Sequence, residues 1–139
     1  MPNRVASMVR LYLWIVGAGL LLEGAAMLVL GAVPPGRLPV TSALFEPDPL
    51  HNSIHVIWGL AMVLLLATGL NDFGAALLAL IFGVFYVAFA ILGVLVDRPF
   101  GLLLGPGQNA FHFVVGPLAL LLGIWGLQAS QASFSPEAP

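Results

Sequence analysis

The chain has 139 residues, of which 60% are hydrophobic and only 7% charged, with a formal net charge of −2 and no cysteine. An ordinary soluble domain carries about 25% charged residues, so a mean hydropathy of +1.07 excludes a soluble globular protein and a disordered chain alike. Four arginines with no lysine form no basic stripe for phosphates, which excludes nucleic acid as a partner, and the lack of cysteine removes thiolate metal sites and cysteine nucleophiles.

Residues 1–10, which contain Arg4 and Arg10, read as a short cytoplasmic N-terminus. The first apolar run, 11–33, is interrupted only by Glu23 and is stopped by Pro34-Pro35-Gly36. It is longer than the apolar region of a cleaved leader and three more runs follow, so it reads as a retained helix. The second run, 54–70, closes at Asn71-Asp72, and the third, 73–96, ends at Asp97-Arg98-Pro99. The fourth, 110–127, follows the breaker Gly105-Pro106-Gly107, and residues 128–139 read as a flexible polar tail. Each run can cross a hydrocarbon layer of about 30 Å at about 1.5 Å per residue. Continuous apolarity, without alternation, argues against a barrel, and open strands cannot satisfy their backbone in lipid. The expected fold is therefore all-α, an integral membrane four-helix bundle. Arginines divide two against two between its ends; the closeness of Arg10 to the first run favours cytoplasmic termini.

A self-match at an offset of 57 residues organises the chain. Asn52, His55 and Gly59 coincide with Asn109, His112 and Gly116 as Asn-x-x-His-x-x-x-Gly, and Leu64, Leu65, Gly69 and Leu70 coincide with Leu121, Leu122, Gly126 and Leu127. Runs one and three match at offset 62 through Leu30-Gly31 and Leu92-Gly93. The bundle thus reads as two helical hairpins related as parallel repeats, with both motifs at one depth on one side. On these residues the chain resembles a family of small bacterial four-helix membrane proteins known only as a domain of unknown function. The resemblance covers residues 11–127 and implies the four-span architecture without implying an activity.

Two readings of the motif stay open. In the first, Asn52 and Asn109 are N-caps, their side chains accepting a backbone N–H two or three residues on, and Gly59 and Gly116 serve helix packing. In the second, His55 and His112 face each other and ligate the metal of a haem or chlorin, oriented by Asn52 or Asn109, while the two glycines admit the macrocycle. Capping is the favoured reading. A metal site on His51 and His55, with Glu46 and Asp48 nearby, follows the zinc-binding spacing, but the second copy has Gln108 at the position of His51, and no metal site is assigned.

Glu23 falls near mid-membrane, where a carboxyl faces the bundle interior and marks either a structural hydrogen bond or a proton-handling site. The repeat alignment sets Glu23 opposite Phe85 with Tyr86 at the same depth, so a buried Glu23–Tyr86 pair is expected. Both histidines should lie about 10 Å shallower, beyond direct contact. Gly17, Gly24 and Gly31 form a packing stripe, and Phe82, Phe85, Tyr86 and Phe89 an aromatic one. Pro117 should kink the fourth helix, and Trp58 should anchor at the interface.

P-loop, dinucleotide and hydrolase signatures are missing from the sequence, so an enzyme is not expected. The leading function is a non-enzymatic accessory or self-associating subunit in a bacterial inner membrane, with the bilayer and other membrane subunits or itself as partners. The alternatives are a haem- or pigment-binding redox protein using His55 and His112, and a small proton-coupled carrier using Glu23.

Overall fold

A computed structural model describes residues 2–32, 48–96 and 98–132. The segment Val33 to Pro47, which holds Pro34, Arg37 and Glu46, lies outside the described residues, as do Asp97 and residues 133–139. Four helices follow in order: α1, Pro2–Gly31; α2, Pro49–Ala67; α3, Asp72–Leu95; and α4, Pro106–Ala132. A single 3-10 turn, Pro99–Gly101, lies between α3 and α4. Among the described residues there is no strand, and all four helices are long and apolar enough to cross a membrane.

Three of the four helices start well ahead of the apolar run that announced them. In α1, Val5, Val9 and Leu13 recur at four-residue spacing and are all buried. Their stripe carries the helix down to Pro2, a residue suited to the first helical position, so the expected N-terminal segment is itself helical. Helix α2 starts at Pro49, capped by Asp48, whose Oδ1 accepts the N–H groups of Leu50 and His51. Helix α4 starts at Pro106, so the supposed breaker opens the helix, which runs unbroken through Pro117 and takes in residues 128–132. The Tyr12 hydroxyl donates to the Val115 carbonyl at 2.6 Å, just before that proline. Helix α3 matches its run to within one residue at each end.

Nor is Asn71-Asp72 the turn between α2 and α3. Asn71 caps α3 by accepting the Gly74 N–H, and Asp72 is the first helical residue. The chain reverses at Thr68-Gly69-Leu70, where Gly69 has φ +82°, a conformation glycine adopts without steric cost. Arg10 reaches across to this turn, donating to Asp72 and to the Leu70 carbonyl.

Packing is closest within two hairpins, α1 with α2 and α3 with α4. Small residues allow it. A Cβ placed on Gly59 would collide with the backbone of Gly17 and Leu21, and one on Gly116 with the backbone of Tyr86 and Val87. Gly83 meets the Gly116 carbonyl much as Gly17 meets the Gly59 carbonyl. By these contacts Gly17 corresponds to Gly83 and Leu21 to Val87, a register of 66 residues between α1 and α3. The expected offset of 62 is displaced by one helical turn, because the Leu-Gly pair that suggested it lies at the ends of the helices. In the true register Glu23 corresponds to Phe89. Of the glycine stripe, Gly17 and Gly24 pack on α2, whereas Gly31 is exposed.

The core joins the hairpins through Leu13, Leu20, Met62, Phe82, Tyr86 and Ala119. Trp58 packs edge-on against Phe82 at 5.4 Å and at a tilt against Phe85 at 5.3 Å, so it supports this core. Large apolar side chains cover the outside, among them Ile15, Leu22, Ile57, Ile81, Val94 and Leu121. Water would penalise such a surface; hydrocarbon would not.

Candidate functional site: a buried histidine cluster

Polar residues gather at the end of the bundle where α2 and α4 begin. Because α2 starts at Pro49 and α4 at Pro106, His55 and His112 each lie six residues into their helices, about 9 Å along the axis. His51 is one turn earlier on the same face of α2 as His55. All three side chains are buried, at 2%, 5% and 1% exposure for His51, His55 and His112. Their ring centroids are 4.4 Å apart for His51–His55, 5.6 Å for His51–His112 and 6.3 Å for His55–His112. One nitrogen from each ring lies within 4.8 Å of the other two.

Four of the six ring nitrogens, His51 Nδ1 and Nε2, His55 Nε2 and His112 Nδ1, are buried without a hydrogen-bond partner among the described residues. Each such atom costs about 1–3 kcal/mol, so the cluster is under-satisfied as a purely structural core. Three imidazole nitrogens at about 2.0 Å from a tetrahedral ion stand roughly 3.3 Å apart. Closing from 4.8 Å to that spacing takes ring rotations of about 1 Å, and one ion would then engage a lone pair on every ring.

His55 is held from behind. Its Nδ1 donates to Glu23 Oε2 at 2.6 Å, which leaves Nε2 as the ligand atom, the arrangement by which a carboxylate orients a metal-bound imidazole. This contact corrects the expected separation. Glu23 is eight residues from Gly31, about 12 Å from that end of α1, so it shares the depth of His55. The expected Glu23–Tyr86 bond is not made. Tyr86 is buried, with its hydroxyl unpartnered and its ring centroid 5.0 Å from that of His112. Glu23 is not buried either; about 35% of its side chain is exposed.

The asparagines do not cap. Asn52 lies inside α2, where its N–H donates to the Asp48 carbonyl, and its side-chain nitrogen has no partner. Asn109 donates from Nδ2 to the carbonyls of Gly93 and Leu104, tying α4 to the end of α3. A Cβ at position 93 would push the Asn109 amide out of place. The cap of α2 is Asp48, which the sequence offered only as an acidic neighbour of His51 and His55. Its Oδ2 also accepts the Leu103 N–H at 2.7 Å, clamping the start of α2 to the segment that leads into α4.

That division of labour explains the break in the repeat. Gln108, buried at the start of α4, accepts the Gly105 N–H through Oε1 and so finishes its own helix. In α2 the matching position is His51, and with Asp48 doing the capping its ring is left to the cluster. Its membership was half visible in the His51-x-x-x-His55 spacing; the approach of His112 required the tertiary fold.

A haem or chlorin does not fit here. The three rings meet edge to face, and the small pocket they share with Ile54, Phe85, Tyr86 and Phe89 has no slot for a macrocycle. Gly59 and Gly116, assigned to cofactor access in that reading, are filled by helix backbone. A separate cleft of about 400 Å³ opens between α1 and α4, with Glu23 and His55 at its inner end.

Compared with family models, curated proteins and solved structures, the chain matches none.

Proposed function

We propose that this is a membrane-embedded metal-binding protein that holds one transition-metal ion on His51, His55 and His112. The observation that carries the reading is the convergence of three buried imidazoles, each with at least one ring nitrogen lacking a hydrogen-bond partner among the described residues. All-nitrogen donor sets suit zinc, copper, iron or nickel, and three protein ligands leave a position for a small exogenous ligand. Glu23 fixes the tautomer of His55, and Asp48 sets the start of α2 from which both its histidines project.

The setting of the ion follows the sequence reading. The four helices span a bacterial inner membrane as two parallel-related hairpins, with both termini cytoplasmic. The histidine end then faces outward. The role we assign stays the non-enzymatic one expected from the sequence, an ion-holding accessory subunit.

The test is elemental analysis of protein purified in mild detergent and equilibrated separately with zinc and cupric ions. One ion per chain is expected, falling towards zero in His51→Ala, His55→Ala and His112→Ala. Occupancy well below one that is indifferent to all three substitutions would refute the site.

A further inference from the structure

The cleft between α1 and α4 differs in character from the histidine cluster. Its walls are apolar, with Ile15 and Gly19 from α1 and Phe111 from α4, and its polar end is formed by Glu23 and His55 with Gln108 beside them. At about 400 Å³ it has the volume of a small-molecule site. A Cβ on Gly19 would meet nothing within 4 Å, so bare backbone leaves the floor open, and Phe111 offers a partly exposed ring on the opposite wall.

Glu23 decides what fits. Among the described residues, Oε2 takes the His55 Nδ1–H and Oε1 has no partner. A carboxylate oxygen turned to an apolar cleft needs a donor, because hydrocarbon supplies none. An O–H on an apolar body small enough to enter between two helices supplies that donor without carrying a second charge into the hydrocarbon. A flat aromatic body suits the Phe111 ring and the open floor at Gly19.

We propose that this cleft binds a lipid-borne phenol, a flat ring on an alkyl tail, whose hydroxyl donates to Glu23 Oε1. The tail leaves between α1 and α4 into the surrounding lipid. This rests on the reading of the helices as membrane spans, and it does not require the metal ion. Through Glu23 the two sites share one residue: the carboxylate orients His55 with one oxygen and receives the phenol with the other.

The probe is 4-decylphenol, with 4-decylanisole as its counterpart lacking the O–H, titrated into protein in phosphatidylcholine nanodiscs. Saturable binding of one phenol per chain is expected, with the anisole weaker by about tenfold or more, as for loss of a hydrogen bond to a charged group. Glu23→Gln should erase most of that difference. Gly19→Leu and Ile15→Trp should each fill the cleft and abolish binding of both probes while zinc stoichiometry stays at one. His51→Ala should lose zinc and keep the phenol, which separates failure of the cleft from failure of the metal site. Equal affinity for phenol and anisole would overturn the proposal. So would phenol binding that survives both cleft-filling variants.

Discussion

Replacing Glu23 tests whether the histidine cluster is a ligand set or only a packed polar core. In a ligand set, the bond from His55 Nδ1 to Glu23 Oε2, 2.6 Å long, fixes the ring and raises the basicity of Nε2. Hydrogen bonds to charged groups contribute about 1.5–3 kcal/mol and neutral ones about 0.5–1.5. Glu23→Gln keeps an acceptor and loses the charge, so it should weaken zinc binding about tenfold, equivalent to roughly 1.4 kcal/mol. Glu23→Ala removes the acceptor and should approach a hundredfold loss, the upper end for orienting residues behind a metal ligand. Neither change opens a core cavity, because Glu23 stands partly exposed in the cleft. The assay is competition for zinc against a chromogenic chelator in detergent, with helicity followed by circular dichroism. Indistinguishable affinities for wild type, Gln and Ala, with helicity unchanged, would show that Glu23 does not hold His55 in place as a ligand.

For the hairpin contacts, Gly59→Ala should lower thermal stability by about 1–3 kcal/mol through overpacking against Gly17 and Leu21, whereas Gly19→Ala should be neutral or stabilising by up to about 1 kcal/mol; equal melting shifts would refute the close-approach reading. Asp48→Ala should cost about 1–3 kcal/mol, combining a lost N-cap with the bond to Leu103, and should weaken zinc binding because His51 follows that cap. Unchanged melting and affinity would show that the clamp does not set the site.

By itself the sequence determined the helical class and the repeat. Apolar runs in a chain with 7% charged residues admit helices and little else, since lipid offers the backbone no partner. The match at 57 residues put His55 and His112 at equivalent depth, as the equal starts of α2 and α4 bear out. What the sequence could not determine was where each helix begins, because hydropathy registers side chains and is blind to caps. Asp48-Pro49 and Gly105-Pro106 look like loop, yet they start α2 and α4, and moving those starts turns both asparagines from caps into interior residues. The same shift brings His55 level with Glu23. Only the tertiary structure decided the rest. Close approach at Gly17–Gly59 and Gly83–Gly116 sets how one helix slides against the next, and that register, invisible to any local pattern, brings His51, His55 and His112 within 4.8 Å and leaves Glu23 to hold one of them.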